Sequence, residues 1–102
     1  MSKKLYIVVP KSLSYSQRAV QGGHAIADFM IKNPESEWRG HSLVFLTVPT
    51  DEELVALYEE SKGWCRCETG WFHEPYWDNR LTAVAIYGDD ASERLKNLPL
   101  MR

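Results

Sequence analysis

The chain has 102 residues, 44% of them hydrophobic and 25% charged, with a formal charge of -2. It is long enough for one domain, residues 1–102, that buries a core unaided. The slight acidity excludes a nucleic-acid binder working through overall charge; an RNA contact requires a local patch, for which Lys3, Lys4, Lys11 and Arg18 toward one end of the fold, joined by Arg66 and Arg80, are available, though solubility is the ordinary use of such residues.

Residues 5–9, LYIVV, form an uninterrupted run of β-formers between lysines and Pro10 and predict a buried central strand. The run is too short for the apolar stretch of a signal peptide. After a loop at 11–13, Ser14 supplies an N-cap and Gln17, three residues on, completes a capping box. The helix starting there extends to about Asn33, because Pro34 disfavours helical geometry in the residue before it. Along it Gln17, Gln21, His24 and Asp28 form a polar stripe at helical spacing, while Ala19, Val20, Ile26, Ala27, Met30 and Ile31 gather on the side expected to pack. Gly22 and Gly23 in mid-helix each cost about 1 kcal/mol relative to Ala, a cost tolerated where a backbone or ligand must come close.

A polar connector at 34–40 carries Trp38, and 42–48 (SLVFLTV) predict a second buried strand. Thr50 caps the next helix, Glu53 closes its capping box, Leu54, Val55, Leu57 and Tyr58 supply its apolar face, and Gly63 suits its C-terminal stop. The second half of 64–73 predicts a third strand, 74–79 a turn-rich loop, and 80–87 a fourth strand. Asp89 or Asp90 is expected to cap a short last helix reaching about Leu98. Cys65 and Cys67 lack the second cluster a zinc site needs and read as reduced thiols. No segment approaches the ~20 apolar residues of a membrane span. A soluble cytoplasmic protein without membrane contact is expected.

The order β-α-β-α-β-β-α gives parallel neighbours at both β-α-β crossovers and an antiparallel pair at the short link between strands three and four. The expected architecture is a three-layer α/β/α domain with a four-stranded mixed sheet whose last strand is antiparallel. Ligands of such sheets sit beyond the carboxyl ends of the parallel strands. That edge holds the loop after strand one, the start of the first helix and the loop after strand three, so Gln21, His24 and Glu74 are expected to converge there.

The run 16–25, SQRAVQGGHA, carries the A-x-Q-x-x-H-A pattern and resembles the type II, archaeal and eukaryotic-type, peptidyl-tRNA hydrolases. Glu74-Pro75 followed by Leu81-Thr82-Ala83-Val84-Ala85-Ile86 is similar to the acidic loop and T-x-x-A-[IL] strand of that family and of its short bacterial and phage-like relatives. The tail 95–100, LKNLPL, matches the family's terminal helix and apolar close. The resemblance spans nearly the whole chain in matching order. It implies hydrolysis, by activated water, of the ester joining a peptidyl or N-blocked aminoacyl group to the 3′ end of tRNA, without metal or cofactor. By carry-over His24 orients or deprotonates water, an imidazole being suited to proton transfer near neutral pH. Gln21 donates its amide to the carbonyl oxygen, Glu74 stands where the family has its acid, and Thr82 offers a hydroxyl in the same cleft. Lys11, Gln17, Arg18 and Trp77 are the expected substrate contacts; Trp71, Trp77 and Tyr76 are either rim aromatics on which a terminal adenine stacks or hydrophobic cover for the sheet, with cover favoured for Trp71 and an exposed role for Trp77. A homodimer is a further expectation of the resemblance.

Two positions depart from the family pattern: Gln17 stands where many members carry a lysine, and Glu74-Pro75 replaces an aspartate followed by a glycine-rich loop. Each residue also has an ordinary reading: His24 as a solvent-facing side chain, Gln17 as a cap partner, the glycines as close packing, Glu74 as a turn residue. A metal site from His24, His73 and Glu74 has no recognised spacing. The alternative function is a non-catalytic RNA- or protein-binding module on the same fold, or a hydrolase of another small ester or amide.

Overall fold

The computed structural model describes residues 3–102. Strand β1 (Leu5–Pro10) leads into helix α1 (Tyr15–Lys32), then β2 (Leu43–Val48), helix α2 (Asp51–Ser61), β3 (Cys67–Glu74), a 3-10 turn (Pro75–Trp77), β4 (Arg80–Gly88) and helix α3 (Ala91–Arg94). One mixed four-stranded sheet runs in the order β2-β1-β4-β3, with β1 parallel to β2 and antiparallel to β4, and β4 antiparallel to β3. A compact α/β domain with helices on both faces is therefore present. One expectation is corrected: β3 is not the neighbour of β2 but lies at the far edge. Burial explains the placement. Residues 81–87 of β4 are buried on both sides and suit a central position, whereas CETGWFHE of β3 is mostly half-exposed and suits an edge.

Val8, Leu46, Leu54, Trp64, Val84, Ile86, Ala91 and Leu95 form the core on the α2 and α3 side, and Ile7, Val9, Ala25, Phe29, Trp38, Ala83 and Ala85 that on the α1 side. Trp38 is folded back from its connector, edge-on to Phe29, with its indole N–H donating to the Ser42 carbonyl at 2.9 Å.

Helix α1 starts as its residues dictate, the Ser14 hydroxyl accepting the Gln17 amide at 3.2 Å; the Gln17 side chain turns instead to Gln21, leaving the box half made. The packing side differs from expectation. Gln21, Gly22, Ala25 and Phe29 face inward, while Val20, Met30 and Ile31 are exposed, Ile31 by 77%. Close approach decides this: a Cβ on Gly22 would run into the Phe45 ring, and one on Gly70 of β3 would lie 2.6 Å from the Phe29 backbone. Bulky residues do not fit there. The polar stripe instead runs along the open edge of β3, where the Trp71 amide donates to Asp28 at 2.9 Å and the Asn33 amide donates to the Thr69 carbonyl at 2.9 Å. α1 thus caps an edge that would otherwise pair with another strand.

The tail performs the same service for β2. Helix α3 ends at Arg94 rather than near Leu98; Asp90 makes no side-chain cap bond, and Leu98 precedes a proline. The chain then lies beside β2, the Thr47 amide donating to Pro99 and the Met101 amide to Phe45, both at 2.9 Å. No helix among the described residues is long and apolar enough to cross a membrane.

Candidate functional site

The carboxyl ends of β1, β2 and β3, the N-termini of α1 and α2 and the start of β4 share one end of the sheet. Residues of that end meet by two local devices. The first is a β-bulge. Ala83 pairs with Phe72 but Leu81 pairs with His73, so Thr82 is an extra residue in β4. The bulge turns its hydroxyl to the α1 side, beside Ala83, where it donates to the Gln21 carbonyl oxygen at 2.7 Å. The second is the five-residue link 75–79, which closes with Asp78 and Asn79 both at positive φ, 53° and 58°, a conformation both residue types tolerate. The turn fixes Glu74 at the end of β3 and presents Tyr76, 92% exposed, and Trp77, 38% exposed, to solvent.

Gln21, Glu74 and Thr82, expected to share a site, are one hydrogen-bonded cluster. One Gln21 amide hydrogen goes to Glu74 Oε2 at 3.0 Å and the other to Gln17 Oε1 at 3.3 Å. The second Glu74 oxygen, Oε1, accepts the Tyr76 amide at 3.3 Å. Thr82 is fully buried, Gln21 is 2% and Glu74 8% exposed. In this arrangement the Gln21 amide and the Thr82 hydroxyl are both engaged within the protein. The Gln21 amide has no hydrogen left for a substrate carbonyl, and the Thr82 hydroxyl is turned into the protein rather than a cleft. Glu74 retains acceptor capacity, since an ionised carboxylate accepts about four hydrogen bonds. His24 lies outside the cluster. It is exposed, and its ring stacks on Phe72 at 4.3 Å with 17° between planes, Phe72 being two residues before Glu74.

The expected cationic contacts divide. Lys11 is exposed at this end. Arg18 is occupied, donating to the backbone carbonyls of Leu13 at 3.0 Å and Lys11 at 3.1 Å and to the main-chain oxygen of Arg102 at 3.5 Å; it clamps the loop after β1. Lys3 and Arg66 lie at the opposite end of the sheet, both paired with Asp89, so the six basic residues form no single patch. Those partners, Lys3 first, hold the Asp89 carboxyl below its ordinary range, and Asp89 raises Lys3. Burial pushes the Cys67 thiol up.

A second cluster at this end was not visible in the sequence. Arg80 Nη2 donates to Asp51 Oδ1 and to the Ser12 hydroxyl, both at 2.9 Å, and the Ser12 hydroxyl donates to the same carboxylate oxygen. The Arg80 guanidinium stands 5.7 Å from the Trp77 ring centre. Asp51 reads in sequence as an ordinary first-turn acid; the available signal was that Arg80 opens the strand after Glu74 while Ser12 and Asp51 each follow a parallel strand. Among the described residues no three His, Cys, Asp or Glu side chains gather as metal ligands.

The chain matches no family model and no curated protein. Among solved structures it is similar to a protein of unknown function from Agrobacterium tumefaciens strain C58, with a TM-score of 0.74 over 100% of this chain and 99% of that one, at 12% identity. At that identity the likeness speaks for the fold.

Proposed function

We propose that the chain hydrolyses the ester between a peptidyl or N-blocked aminoacyl group and the 3′ end of tRNA, using water held at Glu74. The observation that carries this reading is that the three motif residues Gln21, Glu74 and Thr82, from three distant segments, are joined by bonds of 3.0 and 2.7 Å. In the proposed mechanism Thr82 fixes the orientation of the Gln21 amide, and Gln21 fixes the Glu74 carboxylate. Glu74 accepts a proton from the attacking water as the tetrahedral intermediate forms. His24, exposed on the Phe72 ring, faces the leaving ribose oxygen, and the exposed rings of Trp77 and Tyr76 stack on the terminal base. Lys11 meets the phosphates.

Release of the N-blocked amino acid from N-acetyl-aminoacyl-tRNA tests this. Glu74→Gln keeps the shape of the cluster and removes the base; the expected loss in kcat is about 10²–10⁴-fold, with an unchanged circular dichroism spectrum. Native rates in Glu74→Gln, or no turnover by the native chain on intact substrate, sink the reading. A binding module on the same fold is favoured by one observation: both Gln21 amide hydrogens are engaged within the protein. That reading predicts salt-dependent tRNA binding without turnover.

A further inference from the structure

On the face opposite α1, a groove runs between α2 and the segment from α3 to Leu98. Its two halves have volumes of about 480 and 270 Å³ and share Leu57, Glu60 and Arg94 in their walls. The floor is apolar: Leu57 and Leu98 are half-buried, Trp64 and Leu95 almost wholly so. The rim is acidic. Helix α2, DEELVALYEES, carries five acids and no base. Its last turn holds Glu59 and Glu60 against the negative end of the helix dipole, which disfavours them. Lys62 answers Glu59 at 3.2 Å, but among the described residues no base lies within ion-pair distance of Glu53 or Glu60. Arg94, the base of this groove, lies over the Trp64 ring at 4.9 Å.

We propose that this groove docks a basic amphipathic helical segment of a partner protein. Apolar side chains of the segment cover Leu57 and Leu98, and its lysines or arginines meet Glu53 and Glu60. Charge selects this occupant over the others. A nucleic acid or other anion faces Glu53, Glu60, Asp90 and Glu93 in the groove walls, against one base, Arg94. A second copy of this chain, packed through a two-fold axis, sets the same acids against themselves. An uncharged apolar segment covers the floor but strips water from two unpaired carboxylates. The 11 residues of α2 span about 16 Å, room for the roughly 10.5 Å over which a helix places anchors at i, i+3 and i+7. The inference is independent of the hydrolase reading.

The probe is a fluorescein-labelled peptide of about 14 residues with leucine and lysine in amphipathic helical register, followed by anisotropy and by methyl chemical shifts of the protein. The expected result is saturable binding with shifts centred on Leu57 and Leu98. The double reversal Glu53→Lys and Glu60→Lys weakens it by about tenfold or more. The same charge change at Glu35 and Glu37, away from the groove, leaves affinity within about twofold. A glutamine-for-lysine analogue of the peptide, tested on the native chain, also binds about tenfold more weakly, a readout that survives if a reversed variant fails to fold. Equal affinity of the groove reversal and the native chain, equal affinity of the two peptides, or shifts located elsewhere each overturn the proposal.

Discussion

The two helices that flank the sheet use their polar residues in opposite ways. Helix α2 follows the amphipathic rule more closely: Leu54 is buried, and Glu52, Glu53, Glu59 and Glu60 face water. Helix α1 turns its polar stripe toward the protein, Gln21 to Glu74 and Thr82, Asp28 to the Trp71 amide, while Val20, Met30 and Ile31 stand exposed. The difference lies in what each helix covers. A helix over the middle of a sheet meets side chains and needs an apolar face. A helix over an edge meets unpaired amides and carbonyls and needs donors and acceptors. α1 covers both, and its two glycine contacts, Gly22 against Phe45 and Gly70 against Phe29, draw it close enough to reach the edge.

The largest break in this comparison comes from Gly70→Ala. The added methyl group meets Phe29 N and Cα at 2.6 Å, backbone atoms that cannot rotate aside, so α1 must lift from β3. The expected loss is about 3 kcal/mol in urea-induced unfolding. Val55→Ala on the outer side of α2, 44% exposed, is expected to change stability by less than about 0.5 kcal/mol. Equal effects of the two would mean that α1 is not held at the closeness described.

Next in size is the buried polar cluster. Gln21→Ala removes the partner of Glu74 Oε2 and leaves the Thr82 hydroxyl only its longer 3.3 Å contact to the Phe72 carbonyl, in a nearly dry site, with an expected cost of about 2 kcal/mol. Thr82→Val leaves the Gln21 carbonyl oxygen bare and is expected to cost about 1–2 kcal/mol. Because the two share one bond, the double variant is expected to fall short of the sum. Additive losses would show the bond to be unimportant. Glu53→Gln on α2 provides the contrast, with no more than about 0.5 kcal/mol expected.

Much of the fold was legible because local chemistry and tertiary position agree. The Ser14 and Thr50 caps, the apolar runs of β1 and β2 and the hairpin link at 74–79 all act where their residues place them. The buried side of α1 was not legible, since periodicity reports which residues are apolar and not which side the backbone must approach. Strand order failed for a related reason: the crossover after α2 passes over two strands, and only the burial of 81–87 on both faces marks β4 as central. In the site, Gln21, Glu74 and Thr82 were brought together through motif resemblance, while the bulge that aims Thr82 has no sequence marker. The exposed place of His24 follows from Phe72, whose ring lies where alternation along β3 gives no special weight.

The smallest effect separates the paired glycines of α1. Gly22 is required by the Phe45 ring, so Gly22→Ala is expected to destabilise. A Cβ on Gly23 meets nothing within 4 Å, and no positive φ is present there. Within the chain nothing offsets the helix penalty of Gly23, so Gly23→Ala is expected to stabilise by about 1 kcal/mol, read as a higher urea midpoint at unchanged slope. If Gly23→Ala also leaves activity on N-acetyl-aminoacyl-tRNA intact, the outer side of α1 beside His24 has no part in substrate approach. If stability rises and activity falls, the glycine keeps that surface open next to His24, and the functional edge of α1 extends one residue beyond the Gln21 cluster.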